Sequence, residues 1–288
     1  MKLVLFAFAS SDLKRSANRL ESQAIESKFY DDVKIISFEN LDKNTKDTIY
    51  SFIIKNEKRG FGYWVWKPLI VQNILNQINY GDVINYMDVG CHIIKKNVKR
   101  FNNYINLIKE KDRWILPFQY HSKLECNIEN INFPKREEQK YTKADLLNYY
   151  NFLNDVNIVS SPQFWAGCFF IKKTKKSLDF INEWLDVFYN KFYLINDSLS
   201  KIENLQGFVE NRHDQSVFSL LCKKYNLESI SAYECDWAIL NNQRTWQHNL
   251  DSPILAKRDL KYNLLKRFLN RQTKNLKRLK RKIFFNNY

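Results

Sequence analysis

Apolar residues fall into short unbroken runs, separated by longer stretches in which they recur every three or four positions. Residues 3–9 (LVLFAFA) form a continuous apolar run of strand length, the pattern of a strand covered on both faces. Ser11 or Asp12 then offers a helix cap before a helical stretch, and residues 33–38 (VKIISF) read as a second strand. A helical region runs through Ile54, followed by the glycine-bracketed segment RGFGYWVWKP at 59–68. Pro68 suits the first turn of a helix, and residues 69–78 repeat apolar positions at helical spacing. Residues 81–90 (GDVINYMDVG) predict a third strand that stops at Asp88. Strand, helix, strand, helix, strand predicts a parallel sheet that binds ligands at the carboxyl ends of its strands. Further along, 114–118 and 163–171 read as strands, and 121–157 as a polar excursion with a short helix near 143–153. Residues 177–189 read as an amphipathic helix, and His213, Asp214 and Gln215 as the cap of a helix over 216–225. No internal repeat or low-complexity linker interrupts the chain, which predicts one α/β domain over 1–256 and a helical tail over 257–288.

Charge alters this picture at one end. The 288 residues carry a net +15, yet residues 257–288 hold twelve Lys/Arg against Asp259 alone, a net +11 that leaves +4 for everything before. In the tail Leu260, Leu264, Leu265, Phe268 and Leu269 fall near helical spacing among the basic residues. A basic amphipathic helix is the signature of an anionic membrane surface; a solvated charged helix packed on the body is the alternative. No window approaches 18 apolar residues, so no spanning helix is expected. The run at 3–9 lies at the bottom of the signal-peptide range and reads better as a strand. Five scattered cysteines without a CxxC point to reduced, buried thiols in a cytoplasmic protein.

Three clusters carry candidate chemistry. Asp88 ends a strand at the sheet rim, where an acid binds a metal or orients phosphate; a simple turn-starting Asp is the alternative. Asp82, at the other end of that strand, reads as a turn residue. In 59–68, Trp and Tyr side chains stack on flat rings and sugars while Arg59 and Lys67 neutralise phosphate, against the alternative of aromatic core packing with a snorkelling lysine. In 212–215, His213 and Asp214 at a helix start offer acid/base capacity beside a positive dipole end, against ordinary capping by Asp214. His248 stands alone late in the chain, as a metal ligand or a structural histidine.

The runs RGFGYWVWKP, GDVINYMDVGC, FWAGCFFI and RHDQSVFSLL, in that order, resemble nucleotide-sugar-dependent glycosyltransferases of the GT-A fold. They look most like the bacterial enzymes that build capsular and lipopolysaccharide glycans. The resemblance spans roughly residues 1–250. It implies a Rossmann-like, mainly parallel sheet flanked by helices, and a donor diphosphate, UDP favoured, bridged by manganese or alternatively magnesium. Asp88 matches the first acid of the Asp-x-Asp metal motif, with Gly90 standing where the second would be, and His248 resembles the late histidine ligand. Asp214 and Gln215 resemble the pair beside the reacting sugar, as base if the reaction inverts or as oxocarbenium stabilisers if it retains. Ala166 and Gly167 resemble the segment that contacts the donor sugar. The loop from Ser10 to Arg15 resembles the nucleotide pocket, with Arg15 or Arg19 available to phosphates, and Arg59, Trp66 and Lys67 complete the donor site. The implied partners are a nucleotide-sugar donor, a glycan or lipid-linked glycan acceptor and, through the tail, the inner face of the cell membrane. A nucleic-acid-binding protein is the main rival; the segregated charge and the lack of any RNP, KH or zinc-finger pattern oppose it. A glycoside hydrolase using paired carboxylates is the second rival, for which the sequence offers no obvious acid pair beyond Asp88 and Asp214, and a catalytically inactive sugar-nucleotide binder is the third.

Overall fold

The computed structural model describes residues 1–10, 13–56, 59–121, 126–257 and 272. The predicted cap at Ser11 or Asp12 and the basic tail, Lys257 and Gln272 excepted, lie outside the described residues. One compact unit spans Met1–Lys257. In chain order its elements begin with β1 (Leu3–Ala9), α1 (Lys14–Ser27), β2 (Asp32–Ser37), α2 (Lys43–Asn56), the single turn α3 (Gly60–Tyr63) and α4 (Trp66–Gln77). There follow β3 (Val83–Met87), β4 (His92–Ile93), α5 (Val98–Lys109), β5 (Ile115–Gln119), β6 (Ile131–Asn132) and three short helices, α6 (Glu138–Tyr141), α7 (Ala144–Tyr149) and α8 (Val156–Val159). The unit closes with β7 (Phe164–Lys172), α9 (Lys175–Asn190), α10 (Asp214–Lys224), β8 (Ile230–Ser231), β9 (Ala238–Leu240), β10 (Gln243–Thr245) and β11 (Ile254–Leu255).

The main sheet has the order β2-β1-β3-β7-β5-β8. The pairs β1 with β2, β1 with β3 and β5 with β8 are parallel, while β7 runs antiparallel to both neighbours. This is a mixed α/β, mainly parallel sheet flanked by helices. Helices on both faces explain the unbroken apolar runs, because alternate side chains of each strand enter different cores. On one face Phe6, Phe8, Ile84, Tyr86 and Phe169 pack with α2, α4, α9 and α10, and Trp184 fills the centre. On the other, Leu5, Ala7, Val83, Met87 and Phe170 pack with Leu20 and Ala24 of α1 and Phe101, Tyr104 and Ile108 of α5. Asp82 does serve a turn, its carboxylate accepting from the Lys2 and Asn79 amides at 2.6 and 3.1 Å.

The glycine-bracketed segment folds as a left-handed turn. Gly60, Phe61, Gly62, Tyr63 and Trp64 have φ of 55, 56, 83, 53 and 64° in succession. Each non-glycine residue there costs roughly 1–2 kcal/mol, and such strain persists only where surrounding contacts hold it. Those contacts are present: the Trp64 amide donates to Gly60 C=O at 3.0 Å, the Trp66 indole donates to the same oxygen at 3.2 Å, and the Phe61 ring packs on Phe38 and Phe8. A Cβ at Gly60 would stand 2.4 Å from the Trp64 ring. The turn delivers the chain into α4 with Lys67 facing the sheet edge.

Candidate functional site

Three charged side chains from distant parts of the chain meet at the carboxyl edge of β3. Lys67, in the first turn of α4, is buried with 4% of its side chain exposed, and its ammonium donates to Asp214 Oδ2 at 2.6 Å and to Ala166 C=O at 3.1 Å. Its nitrogen stands 3.9 Å from Asp88 Oδ1 and 5.2 Å from the centre of the Tyr86 ring. Asp214 is the first residue of α10, not its cap: the cap position is His213, and the Asp214 side chain, 7% exposed, turns to the lysine. Asp88 differs from both in that 42% of its side chain is open to solvent. It accepts a short hydrogen bond from the buried Tyr86 hydroxyl, its amide donates to Gly167 C=O at 2.8 Å, and its carbonyl accepts from Cys91 N–H at 2.9 Å.

The electrostatics identify Lys67 and Asp214 as an ion pair. Burial alone would lower the lysine, but the Asp214 carboxylate, aided by Asp88, outweighs it and holds the ammonium above its ordinary range. Burial raises Asp214 against the pull of Lys67. The two directions compete, and the lysine's prevails, since its ammonium faces two carboxylates and a carbonyl within 3.9 Å. Burial and then the Asp88 charge push the Tyr86 phenol well up, so Tyr86 keeps its proton and donates a hydrogen bond to Asp88.

The sequence-predicted residues divide at this point. Lys67, Asp88, Asp214, Ala166 and Gly167 come together, the last two through their carbonyls. A Cβ on Gly167 would stand 2.3 Å from the Trp165 indole nitrogen, so glycine lets the indole lie against the strand. Gln215 follows Asp214 and donates to Gln163 Oε1 at 2.9 Å. Ser10 follows β1, its carbonyl accepting from Leu13 N–H, and Arg15 is exposed in the first turn of α1. Arg19 grips the loop that follows Asp88, donating to Cys91 C=O at 2.7 Å and Val89 C=O at 2.8 Å, so it holds that loop in place.

Three residues are placed differently from expectation. Trp66 is 7% exposed with its ring 4.4 Å from that of Phe8, so it is core and presents no face to a donor. Arg59 is ion-paired with Asp197, which also accepts from the Tyr63 hydroxyl at 3.3 Å. His248 directs Nε2 to the carbonyls of Tyr233 and Asp236 at 3.0 and 3.1 Å, and its Nδ1 is buried. Burial pulls this imidazole down, with the two carbonyls opposing. Among the described residues no group of three or more His, Cys, Asp or Glu converges as a cation site. Asp88 alone of the expected pair fits one, as an exposed carboxylate, and His248 does not. All five cysteines are free, four of them buried, and burial raises the Cys91 thiol well up.

His213 forms a second cluster beside the first. Its backbone is strained, at φ 54° and ψ −118°, and its ring lies 2% exposed, stacked on Trp64 at 5.5 Å and edge-on to Tyr63 at 5.0 Å. Nδ1 lies 2.5 Å from Ile195 C=O and Nε2 3.8 Å from Asp197 Oδ1. Burial, reinforced by the Arg59 charge, lowers this imidazole to about 4. The strained residues of the left-handed turn and of the α10 cap thus press on one another, directly ahead of Lys67 and Asp214.

Gln163 gives no chemical signal in the sequence because it reads as the first residue of an apolar strand. Buried, its amide donates to Thr142 Oγ1 at 2.9 Å and Glu138 Oε2 at 3.1 Å while accepting from Gln215. Glu138, fully buried, pairs with Lys223 Nζ at 2.6 Å and ties α6 to α10. Two surface clefts of about 520 and 530 Å3 lie elsewhere, one lined by Tyr149, Glu183 and Lys224 and the other by Thr45, Thr48 and Asn73. Neither includes Asp88, Lys67 or Asp214, and the site is assigned to those three because they combine burial, opposed charge and a sheet-edge position.

No protein-family model and no curated protein matches the chain. Among solved structures the chain is similar to a glycosyltransferase involved in the glycosylation of the major capsid of PBCV-1, at 10% identity and TM-score 0.45 over 95% of this chain and 100% of that one. It is similar to mouse xyloside xylosyltransferase 1 in its apo form, at 9% identity and TM-score 0.40 over 82% and 87%. It is also similar to the apo-form glycosyltransferase GlyE of Streptococcus pneumoniae TIGR4, at 13% identity and TM-score 0.33 over 81% of this chain and 45% of that one. The likeness is to glycosyltransferases, the class that the sequence resembles; at these identities and TM-scores it bears no weight for the chemistry, which rests on the side chains above.

Proposed function

We propose that the chain is a glycosyltransferase that moves a hexose-type sugar from a nucleotide diphosphate, UDP favoured, to a growing surface polysaccharide of the capsular or lipopolysaccharide kind. The observation that carries this reading is the exposed Asp88 carboxylate beside the buried Lys67–Asp214 ion pair at the carboxyl edge of a parallel strand. Transfer from a nucleotide sugar needs positive charge where the diphosphate leaves and negative charge near the anomeric carbon. Lys67 has three N–H donors and two close acceptors, so one remains directed toward the Asp88 side of the site. Asp88 is the side chain that would hold a divalent cation, manganese favoured and magnesium the alternative. When bound, such an ion would neutralise the diphosphate.

The pairing also constrains Asp214. Taking a proton would leave Lys67 buried without its counter-charge, a loss of about 3–5 kcal/mol. A standing carboxylate that stabilises positive charge on the reacting sugar suits the pair better than a general base, and Gln163 holds the neighbouring Gln215 in position. The tail, net +11, is read as the contact with an anionic membrane surface, where lipid-linked acceptors reside. Among the described residues no helix is long and apolar enough to cross a membrane. Nucleic acid is not among the proposed partners.

The test is a thermal-shift screen of UDP-, GDP-, CMP- and dTDP-sugars with and without manganese. A cognate donor at a hundred times its Kd stabilises by about 2.7 kcal/mol. No shift with any donor, together with tight RNA binding that falls steeply with salt, would replace this reading with the nucleic-acid one. A shift without turnover would leave an inactive sugar-nucleotide binder.

A further inference from the structure

The cleft between α7, α9 and the C-terminal end of α10 carries side chains that the fold does not use. Its volume is about 520 Å3, and its walls are Tyr149 and Tyr150 at the end of α7, Asn182, Glu183 and Asp186 on α9, and Lys224. Part of this wall is structural. Glu183 accepts from Lys224 Nζ at 2.5 Å and from the Tyr225 hydroxyl at 2.6 Å, which ties α9 to α10, and the half-buried Tyr150 packs on the core. The rest has no such role. Tyr149 is 40% exposed with its ring edge-on to that of Tyr150 at 5.0 Å, and among the described residues its hydroxyl makes no hydrogen bond. Asp186 accepts from the Asn190 amide one turn along at 2.5 Å and has no ion-pair partner among the described residues. Asn182 accepts from Gln72 at 2.6 Å through its carbonyl, which leaves both of its N–H donors unspent.

The chemistry of this wall selects a ligand class. Burial and then Asp186 raise the Tyr149 phenol, and burial, Tyr149, Glu183 and Asp186 raise that of Tyr150, so both keep their protons and can donate. The cleft therefore holds aromatic rings, O–H and N–H donors, and carboxylate acceptors together, in a volume within the roughly 300–1,000 Å3 of small-molecule sites. A pyranose needs that combination: its hydroxyls donate and accept, and its C–H face lies on an aromatic ring. A cation would use the carboxylates and meet donors and the Lys224 ammonium besides. An anion would meet two carboxylates against one ammonium, so like charge disfavours it. An uncharged sugar satisfies both halves of the wall. The cleft is also separate from the candidate site: Asp214 begins α10 and Lys224 ends it, which places their backbones about 15 Å apart at 1.5 Å per residue.

We infer that this cleft is a second saccharide site, which holds a neutral oligosaccharide without acting on it. It goes beyond the transferase reading and does not depend on it. The test is isothermal titration calorimetry of the full chain with maltotetraose, cellotetraose and N-acetylchitotetraose, and with tetragalacturonate and tetralysine as charged probes. At least one neutral tetrasaccharide is expected to bind with a Kd of about 1 mM or below, at least about tenfold tighter than either charged probe, and with the same affinity when UDP is present. Tyr149→Ala and Asp186→Asn should each weaken it roughly tenfold, the size of one hydrogen bond to a charged group or one ring face. Asp186→Asn keeps the shape of the side chain, so it reports on binding even if the loss of the Tyr149 ring disturbs the fold. The absence of any neutral binding in that range, unchanged affinity in both variants, or displacement by UDP would overturn the assignment. Tighter binding of tetralysine that is lost in Asp186→Asn would also overturn it and make the cleft a cation site. A chain that a nucleotide sugar stabilises but that binds no tetrasaccharide sinks the cleft and leaves the transferase. Tetrasaccharide binding lost in the two variants, without any donor shift, sinks the transferase and leaves the cleft.

Discussion

Replacing Lys67 by methionine keeps the length of the side chain and removes its charge. The ammonium it deletes lies 2.6 Å from Asp214 with 4% and 7% of the two side chains exposed, so solvent screens little of their attraction. Losing one member of such a pair leaves a buried carboxylate without a counter-charge and costs about 3–5 kcal/mol, a large share of the roughly 5–15 kcal/mol that holds a domain folded. Replacing both, as Lys67→Met with Asp214→Leu, removes the orphaned charge and recovers at least about 2 kcal/mol of that loss. The deficit of the single variant also depends on pH. Without the lysine, burial raises Asp214 further above its unfolded value. A carboxyl raised on folding destabilises above its unfolded pKa, so the deficit is full at pH 7 and shrinks as acid protonates Asp214. Urea unfolding followed by circular dichroism, with the m-value held constant, measures all three quantities. A single-variant loss below about 1 kcal/mol, additive effects in the double variant, or a deficit that grows on acidification would refute the ion pair as the centre of the site.

Other perturbations test the neighbouring parts. His213 is lowered from 6.5 to about 4, so its contribution is present above pH 6.5 and is lost as pH falls toward 4, by about 3 kcal/mol at 1.36 kcal/mol per pH unit. The difference in urea stability between wild type and His213→Gln, scanned from pH 7 to pH 4, should narrow over that window, and a constant difference would contradict the burial argument. Gly167→Ala places a Cβ 2.3 Å from the Trp165 indole and should destabilise by about 1–3 kcal/mol, with partial rescue by Trp165→Leu. Asp88→Asn, which keeps an acceptor for the Tyr86 hydroxyl and loses the charge, should cost about 1–2 kcal/mol while removing any manganese-dependent increment in the donor-induced thermal shift. Retention of that increment would take the cation away from Asp88.

The fold was legible where hydrophobic pattern decides and illegible where direction and distance decide. The runs that became β1, β3 and β7 announced strands covered on both faces. The antiparallel course of β7 was hidden, because a continuous apolar run reads the same whichever way it lies between β3 and β5. The strands β4, β6 and β8 to β11 have two or three residues each, too few for any periodicity to register. In the site, Asp88 and Lys67 were visible as a strand-ending acid and a helix-starting cation. Their meeting with Asp214 depends on an ion pair across 147 positions of sequence. Trp66 and Arg59 were misplaced for the converse reason: residue type signals stacking or phosphate chemistry, whereas burial against Phe8 and pairing with Asp197 are decided by the tertiary fold.

The measurement closest to the central claim is the release of nucleoside diphosphate from the donor sugar that stabilises the wild-type chain most, followed for the wild type, Asp88→Asn and Lys67→Met at one temperature where all three remain folded. The account predicts turnover by the wild type and a loss of at least about a hundredfold in each variant, the scale of removing a group that stabilises charge in the transition state. Wild-type turnover that persists in both variants would contradict it, and would place the chemistry away from the carboxyl edge of β3.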